Sequence, residues 1–239
     1  ARKIVAEHRV AITLLTLVFV VNLVETAIET FARERWDVGR ELGFRLARAA
    51  HFFEGSVTAE AYDSAPLFVV YSYSTIYFFV TLVLLIATGW ALARRPGPEP
   101  FRIFGLAIAV DYAISLPFFL FVPGPERWAY PESGAILLSD LWAPELIELF
   151  RPISGLDNCF PSFHVSLTVV VVALAFHYRL RFRWVALWLG ILIALSTSVL
   201  GIHWATDIAA GLATGILAVA AALLIERRIE GPVVSTEAI

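Results

Sequence analysis

The sequence is poor in charged residues and in cysteine. Asp, Glu, Lys and Arg make up 16% of its 239 residues, against about 25% in a typical soluble domain. The formal net charge of −3 gives no basic footprint of the kind that binds nucleic acid. Cys159 is the single cysteine, which excludes an intrachain disulfide. The sequence has no methionine even at its first position, so we expect the N-terminus to have been trimmed or processed.

Hydrophobic residues are abundant, at 59% of the chain with a mean hydropathy of +0.77. A membrane-spanning helix needs about 20 mainly apolar residues, and six runs approach that length. They cover residues 10–28, 66–92, 102–122, 162–178, 183–202 and 204–225. The first run is too long for a signal peptide and lacks a small-residue cleavage site. The sequence therefore predicts an all-α, polytopic membrane protein, a six-transmembrane-helix bundle that forms a single catalytic domain over residues 1–239.

Basic residues are concentrated in flanking segments that lie on one side of the membrane if the chain crosses it six times. They flank the first span, the loop between spans two and three, the loop between spans four and five, and the C-terminal end: Arg2, Lys3, Arg9, Arg94, Arg95, Arg102, Arg179, Arg181, Arg183, Arg227 and Arg228. The segment 123–161, on the other side, has six acidic residues and two arginines. Because cytoplasmic loops carry the excess of Lys and Arg, we expect a multi-pass cell-membrane protein with both termini in the cytoplasm.

Two extracytoplasmic segments have helical character. "WDVGRELGFRLARAAHFF" (36–53) places Leu42, Leu46 and Ala49 at helical spacing among arginines. It predicts an amphipathic helix that lies in the membrane interface, or else a surface helix packed on the bundle. "SDLWAPELIELF" (139–150) is a shorter candidate of the same kind.

Ionisable residues at membrane depth are costly and are candidates for function. His203 and Asp207 are four residues apart, hence on one helical face. A carboxylate at this position holds the tautomer of the imidazole and stabilises its cation, which suits a histidine that acts as a base or a nucleophile. The alternative is a hydrogen bond that joins two helices.

A second candidate lies in "FPSFHVS", where Pro161 and Ser162 precede His164. Proline favours the first turn of a helix, and the free N–H groups of a helix start bind anions. A histidine at this point is able to donate a proton to a leaving oxygen, or it only caps the helix. Arg127, after span three, is either a fork-shaped partner for phosphate or a snorkelling side chain.

The predicted topology brings these residues to one face of the membrane. Arg127 follows span three, His164 opens span four, Ser196 lies near the end of span five, and His203 and Asp207 lie at the start of span six. All of them emerge on the extracytoplasmic side. Their convergence predicts an anion-handling site there.

The motifs resemble those of the type 2 phosphatidic acid phosphatase superfamily. "PSFH" (161–164) matches its Pro-Ser-x-His segment, and "STSVLGIHWATD" (196–207) matches its Ser-Arg…His…Asp segment, except that Thr197 replaces the arginine. The family's first segment, a basic stretch that ends in Arg-Pro, is matched only weakly. Trp128 follows Arg127 in place of the proline, and no lysine stands seven residues before Arg127. The "NCFPSFHVS" context and the missing arginine resemble the inositol phosphorylceramide synthase branch.

The resemblance implies a phosphohistidine mechanism without metal or cofactor. His203 would attack phosphorus, Asp207 would orient it, and His164 would protonate the leaving oxygen. Phosphate binding is assigned to Arg127, the Ser162 and Phe163 amides, and Ser196. The implied partners are membrane lipids and the bilayer. A metal site built from His164, His203 and Asp207 is disfavoured, because it leaves the anion-binding features unexplained.

The missing lysine and arginine favour a phosphodiester, a monoanion that needs less positive charge than a phosphomonoester. The sequence thus favours an inositolphosphotransferase-like transfer of lipid head groups. The alternatives are a phosphatase acting on phosphatidate or polyprenyl phosphate, and a lipid-phosphate carrier or flippase without chemistry.

Further polar residues fall within or beside the spans. Asp111, Tyr112 and Asn158 are candidates for a head-group pocket, and Asn22 and Glu25 for the same pocket or for a buried network. Tyr71, Tyr73 and Tyr77 would line a pocket or serve in packing. The small residues of "GLATG" (211–215) predict close packing of span six against a neighbour.

Overall fold

The structure is a computed structural model that describes residues 6–32, 37–55, 65–142, 144–145 and 159–230. Over these residues it is all-helical and has no β-strand. The main helices are α1 (Arg9–Ala32), α2 (Asp37–Glu54), α3 (Leu67–Ala93), α4 (Glu99–Phe121), α5 (Phe163–His177), α6 (Arg183–Val199) and α7 (Ala205–Glu230). Short 3₁₀ turns at Arg127–Ala129, Pro131–Ser133 and Leu138–Leu141 follow α4.

A helix lies at each of the six predicted spans. Within the described ranges, α1, α3, α4 and α7 are long and apolar enough to cross a membrane, which makes four candidate spans. The other two, α5 and α6, are apolar but have only 15 and 17 residues, fewer than the roughly 20 that a span requires. The count of six membrane crossings therefore stays a prediction, and so does the orientation of the termini.

Helix α5 lies at the centre of the bundle, in contact with α3, α4, α6 and α7. Its residues Val170, Leu174 and Ala175 are fully buried in the main core. Helix α7 approaches it closely: a Cβ added to Gly211 would lie 2.5 Å from the Ser162 carbonyl oxygen, and one added to Gly215 would lie 2.6 Å from that of Ser166. The predicted close packing at "GLATG" is confirmed, since only a hydrogen atom fits at both positions.

Arginine-rich helix ends meet at one end of the bundle. A partly buried ion pair between Arg102 and Glu226 joins α4 to α7. Arg95 donates to the carbonyl of Tyr178, whose hydroxyl donates to Glu99 at 3.0 Å. The residues that carry the candidate chemistry lie at the opposite end.

The first predicted amphipathic segment forms helix α2. It packs on the bundle through small residues: Ala47 and Ala50 are buried, and a Cβ added to Gly43 would overlap the Pro123 carbonyl oxygen at 1.8 Å. Leu42, from the predicted apolar stripe, is 45% exposed. The described contacts thus match the alternative of a surface helix packed on the bundle, and a membrane-interface location stays a prediction. Most of the second predicted segment, 143 and 146–150, lies outside the described residues.

Candidate active site

The pair His203–Asp207 is built at the junction of α6 and α7. Helix α6 ends before Gly201, which adopts a positive φ of 76°, a conformation that favours glycine. The N–H of His203 then donates to the Thr197 carbonyl at 3.0 Å. Asp207, in the first turn of α7, accepts the N–H of Trp204 at 2.9 Å. These contacts leave His203 Nδ1 3.5 Å from Asp207 Oδ2, with both side chains buried.

Cys159 is a third member of this cluster. Its Sγ donates to Asp207 Oδ2 at 3.0 Å and lies 3.3 Å from His203 Nδ1. Sequence reasoning missed this residue for the site, because one cysteine in a loop carries no spacing signal. The ligand-type atoms of Cys159, His203 and Asp207 all lie within 4.8 Å of one another, so these are the described residues suited to hold a metal ion.

His164 lies in the first turn of α5 and stacks on Tyr77. Their ring centroids are 4.2 Å apart and their planes are inclined by 24°. Tyr77 belongs to a π-helical turn of α3, Ile76–Val80, a distortion that is frequent at functional sites. Two residues before His164, the Ser162 N–H contacts the Asp207 carbonyl, so the start of α5 lies against the turn that carries His203 and Asp207. The structure thus brings the two predicted histidines into one site.

The start of α5 contacts α7 directly. The Ser162 N–H donates to the Asp207 carbonyl at 3.1 Å, so this amide, predicted to bind phosphate, is engaged by the protein. The Ser162 hydroxyl is fully buried and has no hydrogen-bond partner among the described residues. Buried polar groups are normally paired, so this hydroxyl is available to a ligand. Phe163 packs edge-on against Tyr112.

Arg127 is placed beside the His203 loop by backbone pairing. Its N–H donates to the Ile202 carbonyl at 3.0 Å. Its guanidinium lies over the Trp204 ring, 4.9 Å from the centroid, and its Nη1 is 4.0 Å from Glu54 Oε2. Arg127 is 6% exposed. The predicted phosphate partner is therefore adjacent to the histidine–aspartate pair and already has a carboxylate beside it.

Glu54, at the end of α2, was not predicted to have a role. Its carboxylate accepts the Ala205 N–H at 2.8 Å and the Thr206 N–H at 3.1 Å. It therefore caps the N-terminus of α7, where the helix dipole favours a negative charge. Glu54 links the packed surface helix to the helix that carries Asp207.

Ser196, assigned to phosphate binding, is buried within α6. Its hydroxyl donates to the Ile193 carbonyl at 2.6 Å, and the hydroxyl of Thr197 donates to Ala194 at 2.8 Å. Both hydroxyls serve their own helix in the structure. A contact of Ser196 with phosphate stays a prediction.

Two of the three candidate head-group residues lie within the described part of the chain, and both are buried. Asp111 is fully buried and accepts the Ser166 hydroxyl at 2.8 Å. Tyr112 is buried next to it in sequence, whereas Asn158 lies outside the described residues. Asp111 is thus joined to α5 two residues after His164, and its contact with a head group stays a prediction.

Together, the fold and the site define a helical membrane-type protein with a buried histidine–aspartate pair, a second histidine and an arginine at one end of its bundle. The chain belongs to the PAP2 superfamily, whose family model matches residues 100–230, more than half of its length. The matched range contains Arg127, His164, His203 and Asp207, and it confirms the resemblance at the level of the superfamily. No curated protein and no solved structure matches the chain significantly.

Members of this superfamily are phosphatases, which indicates an enzyme with phosphatase- or phosphotransferase-type activity on phosphoesters. The narrower resemblance to the inositol phosphorylceramide synthase branch stays a prediction.

Proposed function

We propose that the protein is an integral-membrane enzyme that transfers or hydrolyses phosphoryl groups on lipid phosphoesters through a phosphohistidine at His203. The observation that carries the proposal is the buried pair in which His203 Nδ1 faces Asp207 Oδ2 at 3.5 Å, in contact with the helix start that carries His164. A carboxylate that accepts a proton from Nδ1 fixes the tautomer whose Nε2 has a free lone pair. Nε2 is then the nucleophile.

In the first step, His203 Nε2 forms a bond to phosphorus while the bond from phosphorus to the leaving oxygen breaks. His164 donates its proton to that oxygen and becomes the base for the second step. It then takes a proton from water or an alcohol, whose oxygen attacks phosphorus as the N–P bond breaks. Arg127, the Ser162 hydroxyl and the Phe163 amide are the candidate partners for the non-bridging oxygens.

The charge balance of the site supports a phosphodiester donor. Arg127 is paired with Glu54 at 4.0 Å, so part of its charge is balanced before a substrate arrives. A diester carries one negative charge and a monoester nearly two, and the diester therefore needs less compensation from the protein. This favours transfer of a lipid head group over hydrolysis of a phosphomonoester, with the phosphatase as the alternative.

An apolar cavity next to the site supports a lipid substrate. It has a volume of about 560 Å³ between α1, α3, α4 and α5, and Phe163, the residue before His164, is among the residues that line it. Val18, Phe104 and Ile108 line it farther along the helices. A phosphoester held at His203 would thus have apolar space close by for its tail.

The test uses the purified protein in nanodiscs with three donors in parallel: phosphatidate, a polyprenyl phosphate and phosphatidylinositol, the last with excess diacylglycerol whose acyl chains differ in mass from those of the donor. Transfer of phosphoinositol to this acceptor releases the donor's own diacylglycerol, so we expect loss of the original phosphatidylinositol and formation of one that carries the acceptor's acyl chains. Free phosphate from the first two donors would establish the phosphatase instead. Donor binding or movement across the membrane with no product would favour a carrier.

The mechanism is tested by trapping the intermediate with a donor labelled with ³²P. We expect an acid-labile, base-stable label on the wild type and on His177→Ala, since His177 is exposed at the far end of α5. His203→Ala should carry no label. Turnover retained by a folded His203→Ala protein would overturn the proposal.

A further inference from the structure

Cys159, distant in sequence, joins His203 and Asp207 to form a group of three potential metal ligands. Cys159 Sγ, His203 Nδ1 and Asp207 Oδ2 are separated by 3.3 Å (Sγ–Nδ1), 3.0 Å (Sγ–Oδ2) and 3.5 Å (Nδ1–Oδ2). All three side chains are almost completely buried, with 2%, 4% and 3% exposure. Thiolate, imidazole and carboxylate are the ligand types that Zn²⁺ prefers.

These separations are close to those of a tetrahedral zinc site. Bond lengths of about 2.0–2.3 Å place neighbouring ligand atoms about 3.4–3.6 Å apart. Shifts of roughly half an ångström in the three ligand atoms would therefore bring their separations to those of a tetrahedral zinc site. A cavity of about 10 Å³, lined by Cys159, Trp204 and Asp207 among others, has room for about one water molecule, which is a normal fourth ligand when a protein supplies three.

We propose that Cys159, His203 and Asp207 form a site for Zn²⁺ and that the bound ion switches the enzyme off. The thiol loses its proton to solvent when the thiolate binds, and Asp207 gives its carboxylate oxygen to the metal. His203 coordinates through Nδ1, so its remaining proton must be on Nε2. The proposed nucleophile Nε2 then has no free lone pair, and attack on phosphorus stops.

This site differs from the disfavoured arrangement of His164, His203 and Asp207. It leaves His164 free, and it requires no metal for the reaction itself. The enzyme would therefore turn over without metal and be inhibited by a metal that binds thiolate well.

The binding test needs no enzymatic activity. The purified wild type, with a tag that lacks histidine and cysteine, is titrated with Co²⁺ as a spectroscopic substitute for zinc. Because Cys159 is the single cysteine, any thiolate-to-cobalt charge-transfer absorption must come from it. We expect this absorption in the wild type, its loss on adding Zn²⁺, and its absence in Cys159→Ser. A wild type that shows no such absorption at saturating Co²⁺ would overturn the proposal.

The second test measures inhibition and rests on the proposed function. Zn²⁺ should inhibit the wild type reversibly, with recovery on addition of a chelator. Cys159→Ser, normalised to its own turnover without metal, should need at least about tenfold more Zn²⁺ for half-inhibition. The control His177→Ala should match the wild type. Equal sensitivity of Cys159→Ser and wild type would refute the switch, whereas cobalt binding without any turnover would count against the proposed function alone.

Discussion

Glu54 and Arg127 are joined across the candidate site, with Glu54 Oε2 4.0 Å from Arg127 Nη1. The same carboxylate caps α7 through the N–H groups of Ala205 and Thr206. One side chain therefore connects α2, the predicted phosphate-binding arginine and the start of the helix that carries Asp207. Loss of this carboxylate should affect both stability and the site.

We expect Glu54→Ala to lower the free energy of unfolding by about 1–2 kcal/mol, because it removes a helix cap and leaves Arg127 without this partner. The measurement is thermal or denaturant unfolding in detergent. The matched control is Glu41→Ala on the same helix, where the carboxylate forms an exposed ion pair with Arg45. Such a pair contributes about 0.5 kcal/mol or less. Similar losses in the two variants would contradict the capping role.

Asp207→Asn should reduce kcat by on the order of 10³-fold or more, because an amide neither fixes the His203 tautomer nor stabilises its cation. Phosphoenzyme formation should slow to the same extent, as measured by rapid-quench labelling. Asp140→Asn, a change at an exposed 3₁₀ position, is the control and should leave both rates unchanged. A near-normal labelling rate in Asp207→Asn would show that His203 does not depend on this carboxylate.

The local parts of the site could be predicted from the sequence. His203 and Asp207 lie four residues apart, and helical geometry alone places them on one face. Pro161 and Ser162 ahead of an apolar run mark the helix start that carries His164. These features need only short-range rules. The same rules placed the helices, although the end of α6 falls before Gly201, where the apolar pattern runs on to Ile202.

The long-range parts could not be predicted. Glu54 contacts residues about 150 positions away, and Cys159 contacts Asp207 across 48 positions. Neither belongs to a periodic pattern. The inward face of α2 is formed by Gly43, Ala47 and Ala50 rather than by the larger Leu42, because close approach to Pro123 admits only small residues. Hydrophobicity alone therefore did not identify the small residues through which α2 packs on the bundle.

The stacking of Tyr77 on His164 leads to a prediction about proton transfer. Tyr77→Leu should reduce turnover of a lipid phosphoester, by up to about 10²-fold, because the imidazole is no longer held in place. Tyr77→Phe keeps the ring and should remain within about threefold of wild type. A nitrophenyl phosphoester needs little protonation of its leaving group, so on that substrate Tyr77→Leu and His164→Ala should both recover much of their activity.

This recovery distinguishes a positioning role from general damage to the fold. A Tyr77→Leu protein that is equally slow on both substrates would indicate that Tyr77 does not act through His164. Labelling of His203 by the nitrophenyl donor should persist in both variants.

The two close contacts of α7 with α5 provide a matched pair of substitutions. Gly211→Ala would press its Cβ against the Ser162 carbonyl, at 2.5 Å, and Gly215→Ala would press against Ser166, one turn farther from the site, at 2.6 Å. Both should lower stability by about 1–3 kcal/mol through overpacking.

Only Gly211→Ala displaces Ser162, whose hydroxyl is buried without a partner among the described residues. We therefore expect Gly211→Ala to raise KM for the phosphoester about tenfold or more relative to Gly215→Ala. The measurement is KM from steady-state kinetics at a temperature where both proteins are folded. Equal KM values in the two variants would exclude a role for Ser162 in binding the phosphoester.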